Sequence, residues 1–241
     1  MTPLDEVTKA EAEFEAAWKN SSHTRYELPR FDLNRALAPR PHGTAAPRFT
    51  GSMLWDAELR KAWDPATYIP SVVRSGHSWD RLRLPAGDEV FWRVSEQRSW
   101  MAGNFVSVIE RVALDHRARR AIFLGRPEAP GKDGKRLAAT IEQPLFFVEH
   151  SVQGTEDAPV IGFRIVHLTA RPDERLIERL SGMLGSISVP EYVDIYRRRD
   201  LGADAGSALA APESEYAEEE GSAGFGVGAR LSGIQRTRRP A

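Results

Sequence analysis

The chain predicts an α+β fold in which an antiparallel sheet of about five strands packs against a C-terminal helix, with amphipathic helices before it and a flexible tail after it. Three observations carry that prediction. The apolar period changes from helical to alternating at Glu89. Turn chemistry separates the alternating segments from there to Thr169. A helical period returns at 173–187. The implied boundaries are an N-terminal helix and Pro-rich arm over 1–50, an α+β domain over 51–200 and a low-complexity tail over 201–241.

Residues 3–19 place Leu4, Val7, Ala10, Phe14 and Trp18 at spacings of three and four, with acids on the other face, which predicts an amphipathic helix. From Asn20 to Pro47 the chain is rich in Pro, Arg, Ser and Thr and shows no sustained period, which reads as an extended arm. Ser52 then stands where it can cap a short helix bearing Trp55, Leu59 and Trp63 on one side, ended by Asp64-Pro65.

The strand candidates follow: "EVFWRV", then "NFVSVIERVALD" and "RAIFLGR" joined by the tight "HRAR" connection. "APGKDGK" reads as an exposed turn, and "RLAATIEQ" with "LFFVEHSVQ" as one long strand interrupted at Pro144, which has no N–H for a ladder. "PVIGFRIVHLT" returns beside it. The helix at 173–187 has acids near its start and an apolar face of Leu176, Ile177, Leu180 and Leu184, and "VPEYVDIYRRR" reads as a shorter helix or strand.

Glu149, His150 and His167 raise the question of a metal or catalytic site. Strand residues face alternate sides, so Phe146, Val148, His150 and Val152 share one face, and Ile161, Phe163, Ile165 and His167 share another. Burying both stripes together with "GTEDAP" as the loop sets Gln153 opposite Val160, His150 opposite Phe163 and His167 opposite Phe146. The histidines then stand four residues apart along the sheet, roughly 13 Å at ~3.3 Å per residue. That is too far to share an ion whose ligand nitrogens lie about 2 Å away. Glu149 faces the other side. No metal site is therefore expected. Glu110, in line with Val106, Val108, Val112 and Leu114, joins His150 and His167 as a polar residue on a core-facing stripe. These three are the candidate catalytic residues, because a carboxylate beside an imidazole in a cavity makes a general acid or base.

Weaker motifs carry less. "SGHSWD" at 75–80 has Gly76 and Ser78 of a nucleophile elbow, but Asp80 stands where a glycine is needed, so it reads as a turn. "GFGVG" at 224–228 and "DGK" at 133–135 lack the strand and helix that a phosphate loop requires.

The charges nearly cancel, at net −1, so no global field favours nucleic acid or an anionic membrane. There are no cysteines, which removes disulfides and thiol chemistry, and no apolar run of spanning length; a cytoplasmic location is expected and no cofactor is called for. Phe14, Trp18, Trp55, Leu59 and Trp63 form aromatic stripes suited to a protein partner or to self-association. With long arms and no complete catalytic constellation, the favoured expectation is a non-catalytic binding or accessory subunit. The alternative is an enzyme or carrier of an apolar small ligand, held in a cavity between sheet and C-terminal helix beside a Glu/His acid–base pair.

Overall fold

A computed structural model describes residues 5–36, 48–101, 103–140, 142–182 and 189–202. The chain opens with α1 (Glu6–Lys19), started by Asp5, whose carboxylate accepts the Thr8 N–H at 2.8 Å. Two short strands, β1 (Thr24–Glu27) and β2 (Phe31–Asp32), and one helical turn, α2 (Leu33–Ala36), follow. Thr50 caps α3 (Gly51–Trp63), and Asp64 both ends that helix and caps the single turn α4 (Pro65–Tyr68). The strands β3 (Val73–Arg83), β4 (Glu89–Arg98), β5 (Phe105–Asp115) and β6 (Arg120–Arg126) then run up and down. A small hairpin, β7 (Glu128–Pro130) and β8 (Arg136–Ala138), precedes β9 (Phe146–Gly154) and β10 (Pro159–His167). The helices α5 (Glu174–Gly182) and α6 (Val189–Asp200) close the described chain.

The main sheet is antiparallel, in the order β1-β10-β9-β6-β5-β4-β3, with β2 also paired to β10, giving eight strands. The predicted α+β class holds. Five of the eight, β4, β5, β6, β9 and β10, fall in the range where about five were expected, and the other three extend the two edges. Two come from the segment read as an extended arm: Thr24–Glu27 and Phe31–Asp32 are too short to show a period, and they are ordered by pairing with β10. The third, β3, contains the "SGHSWD" stretch, so Ser78 lies on a strand and not in a turn; its hydroxyl donates to the Trp63 carbonyl at 2.7 Å. The segment around Pro144 also differs, because Arg136–Ala138 leaves the main sheet to pair with β7, making separate strands of what was read as one.

The β9–β10 hairpin has the register that the apolar stripes demand, with Gln153 opposite Val160, His150 opposite Phe163 and His167 opposite Phe146. The sheet is covered on both faces. On the outer face α1 lays Val7, Ala10 and Phe14 on Ala113, Ile122 and Phe147. Charged pairs hold it there: Arg126 to Glu13 at 2.5 Å, and Arg164 to Glu15 at 2.6 Å. The inner face is covered by α3, α4 and α6, with Leu54, Phe91, Val112, Tyr192 and Val193 among the core they share. The sequence assigned that role to one helix at 173–187. Here that helix, α5, lies against β1 with Leu176 and Leu180 buried and adds Leu180 to the same inner core, while 183–188, including Leu184, fall outside the described residues. So do 203–241 and the glycines at 224–228. Among the described residues no helix is long and apolar enough to cross a membrane.

Candidate active site

A cavity of about 150 Å³ lies between the inner face of the sheet and the helices above it. Its walls are mainly apolar, from Phe123 on β6, Phe146 and Val148 on β9, and Phe163 and Ile165 on β10. The polar groups are concentrated in Lys61, Arg93, Gln97, Glu110, His150 and Tyr192. A site of this kind, apolar with a few convergent polar groups, is the usual form of a small-molecule pocket.

Lys61 arrives on α3. The buried stripe of that helix is Leu54, Ala57, Glu58, Lys61 and Ala62, at helical spacing, so a carboxylate and an ammonium take positions that apolar residues would fill. Glu58 is fully buried and Lys61 only 4% exposed. The Lys61 ammonium donates to both Glu58 oxygens, at 2.7 and 2.6 Å. From β9, His150 places Nδ1 3.0 Å from Lys61 Nζ and 2.9 Å from Glu58 Oε2. Its ring is wedged between Phe163, edge-on with centroids 4.5 Å apart, and Phe123 at 5.0 Å.

The protonation states follow from these neighbours. Burial works against the Glu58 carboxylate, but Lys61 and then His150 outweigh it and hold its pKa at about 2. Burial lowers the pKa of Lys61, and Glu58 opposes the fall. Burial, then the Lys61 charge, bring His150 down to about 4, so the imidazole is neutral at neutral pH. With Lys61 an ammonium, its third proton is the one available to Nδ1. With hydrogen on Nε2 the ring accepts from Lys61 at Nδ1, and with hydrogen on Nδ1 it donates to Glu58 Oε2 instead. Both contacts run through Nδ1, and among the described residues Nε2 makes no hydrogen bond.

A second ion pair forms the floor. Arg93 on β4 and Glu110 on β5 are cross-strand partners, with Arg93 Nε and Nη2 donating to Glu110 Oε2 at 2.8 and 2.6 Å. Gln97 donates to the same oxygen at 3.3 Å. Arg93 also donates to the Ala62 carbonyl at 3.0 Å, tying the sheet to α3, and stacks its guanidinium 4.6 Å from the Phe123 ring. Burial pushes the Tyr192 hydroxyl well up, and nearby Glu58 adds to this, so it is a neutral donor.

The three candidate catalytic residues therefore separate. His150 and Glu110 both border the cavity, but the partner of Glu110 is Arg93 and the carboxylate beside His150 is Glu58. His167 is fully buried behind Phe146 and Trp100, with ring centroids 5.5 and 6.1 Å away, and neither of its nitrogens has a hydrogen-bond partner. Burial lowers its pKa to about 4, against a weak pull from Asp173. Among the described residues no group of three or more His, Asp or Glu could hold a metal ion. The aromatic residues read as partner-binding pack within the chain. Phe14 is fully buried and stacks on Trp18, Trp55 is 7% exposed against His116, and Trp63 meets Phe91 edge-on at 5.0 Å. Leu59 is partly buried against the inner core.

No protein-family model matches the chain, and no curated protein matches it in sequence. Among solved structures it resembles the Zhui aromatase/cyclase from Streptomyces sp. R1128, at 14% identity and a TM-score of 0.45, over 76% of this chain and 99% of that one. It also resembles the di-domain ARO/CYC BexL from the BE-7585A biosynthetic pathway, at 10% identity and a TM-score of 0.44, over 85% of this chain and 58% of that one. A third likeness is to Ara h 8.0201, at 12% identity and a TM-score of 0.40, covering 71% and 97%. These are distant resemblances of fold. The expectation of a non-catalytic accessory subunit is corrected here, because the aromatic stripes behind it pack into the chain's own interior.

Proposed function

We propose that the chain binds a small, ring-sized molecule bearing a carbonyl or similar oxygen in the inner cavity, and exchanges protons with it through His150. The observation that supports this most directly is the division of the imidazole. Nδ1 is held by Lys61 and Glu58, while Nε2 has no protein partner at an apolar cavity. In the tautomer that accepts from Lys61, Nε2 carries a hydrogen that a ligand oxygen can accept, so the site favours an oxygen-bearing guest over a hydrocarbon of the same size. The volume of about 150 Å³ suits a guest of one ring, since an apolar cavity of that size accommodates benzene. Donation from Nε2 to a carbonyl oxygen stabilises the enolate that forms when an adjacent C–H is lost, which is general acid catalysis.

Cyclohexanone has the ring, the oxygen and exchangeable protons. The expected result is saturable binding by calorimetry, together with protein-dependent uptake of deuterium next to the carbonyl, followed by NMR in D2O. The variant His150→Gln should keep binding and lose ~10²-fold or more of the exchange rate. Val148→Phe, which fills the cavity, should lose both. Exchange equal in wild type and His150→Gln would remove the proton-transfer role.

A further inference from the structure

We infer that Lys61 is a nucleophile, and that a carbonyl compound in the cavity is captured on Nζ as an imine. This deepens the ligand-binding reading and rests on it. The first observation is compositional. Of 33 cationic side chains 28 are arginine, and only five lysines occur, at 9, 19, 61, 132 and 135. The other four are exposed. Where this chain needs a permanent buried cation it uses a guanidinium, as at Arg93, 6% exposed and paired to Glu110. An arginine cannot give up its proton in a protein; an amine can, and then has a lone pair. The single buried lysine therefore supplies chemistry that the prevailing cation cannot.

The second observation is position. Lys61 borders the cavity itself, with Nζ 4.4 Å from the centre of the Tyr192 ring and 5.8 Å from that of Phe163, both cavity walls. An amine desolvated by such walls and near a second cation is the arrangement that activates lysine toward carbonyls. Burial is the main cause lowering its pKa, and the Arg93 charge adds to it, while Glu58 works the other way.

The third is the way out for the proton. Nζ lies 3.0 Å from His150 Nδ1, so the imidazole can accept a proton there as it releases the one on Nε2. The steps then balance. Nζ passes one proton to Nδ1 and its freed pair attacks the carbonyl carbon, forming the C–N bond. The carbonyl π pair moves onto oxygen, which takes the proton from Nε2. The carbinolamine nitrogen then gives one of its two protons to its own hydroxyl, the C–O bond breaks and water leaves, and the imidazole is left with its hydrogen on Nδ1, 2.9 Å from Glu58 Oε2. The sum is an ammonium plus a carbonyl giving a protonated imine plus water, with no change of oxidation state. Glu58, 2.7 and 2.6 Å from Nζ, stays ionised throughout and offsets the charge of the iminium as it did that of the ammonium.

The test uses the full chain with cyclohexanone and sodium cyanoborohydride at pH 7, followed by intact mass and peptide mapping. One cyclohexyl group is expected at Lys61, ahead of Lys9, Lys19, Lys132 and Lys135. Lys61→Arg and Lys61→Met should lose that label while the exposed lysines label as before, and His150→Gln should label Lys61 at least tenfold more slowly. Cyclohexanone binding with no label at Lys61, or label only at the exposed lysines, overturns the nucleophile and leaves the ligand reading intact. Failure of the wild type to bind cyclohexanone at all overturns both.

Discussion

His150 and His167 stand on the same face of the β9–β10 hairpin, opposite Phe163 and Phe146 respectively, and burial lowers both to about 4. Their surroundings nevertheless differ. Above His150, α3 brings a carboxylate and an ammonium within 3.0 Å of one nitrogen, and the other borders the cavity. At His167 the neighbours are Trp100 and Phe146, and both nitrogens are bare. The same residue type is partnered beside a cavity in one place and fully buried without a partner in the other. What separates them is the helix packed over the strand, and variants that change one end should behave unlike those that change the other.

The largest effect is expected at the supported end. Glu58→Leu leaves the Lys61 charge buried without its partner and should cost about 3–5 kcal/mol in urea denaturation. Adding Lys61→Met should recover most of that loss, because an apolar pair of similar volume replaces the buried ion pair. A double variant as unstable as the single one would show that the pair's geometry, not its charge balance, holds α3 to the sheet.

Acid affects both ends. Each imidazole has a folded pKa of about 4 against an ordinary value of 6.5, so between those limits the unfolded chain binds more protons than the folded one. Stability from this source is complete above pH 6.5 and is lost as pH falls toward 4. Glu58, held at about 2, adds a further loss below its ordinary value of 4.5. By pH 5 each imidazole should have cost ~2 kcal/mol, read as a falling urea midpoint. A midpoint unchanged from pH 7 to 5 would mean that neither ring is neutral in the folded chain.

How much of this was legible follows from distance along the chain. The hairpin register was readable because alternation and a fixed loop leave one pairing that buries both stripes, and Val160 opposite Gln153 is the result. The sheet's edges were not, since Phe31–Asp32 is too short to carry a pattern of its own. In the site, His150 and Glu110 were visible as polar residues on apolar stripes. Glu58 and Lys61 carried the same signal, at helical spacing with Leu54, Ala57 and Ala62. It was obscured by the brighter Trp55, Leu59 and Trp63 series on the adjoining face. Arg93 was hidden by the strand's inverted pattern, since β4 turns Arg93, Ser95 and Gln97 inward and Trp92 and Val94 toward the other face. Nothing local could join Glu58 to His150, because they are 92 residues apart and meet only when α3 closes over β9.

The unsupported end should respond in the opposite sense. His167→Phe removes two unsatisfied nitrogens from a fully buried position lined by Trp100 and Phe146, and should raise stability at pH 7 by about 1–2 kcal/mol. It should also remove that residue's share of the acid sensitivity and leave cyclohexanone exchange unchanged. A loss of exchange would place His167 in the chemistry and erase the contrast between the two rings.

The smallest change in stability is expected from His150→Gln, within about 1 kcal/mol, because the amide oxygen can accept from Lys61 where Nδ1 did and the volumes are close. Its effect on chemistry should be the greatest of the set, since an amide cannot take a proton at one end while releasing one at the other. The pair of variants thus separates packing from function on one face of one hairpin: one ring replaced with a gain in stability and no loss of exchange, the other with little change in stability and most of the exchange gone. If His150→Gln instead unfolds the chain as Glu58→Leu does, the imidazole is a structural member of the ion cluster, and the proton-transfer role must pass to Lys61 alone.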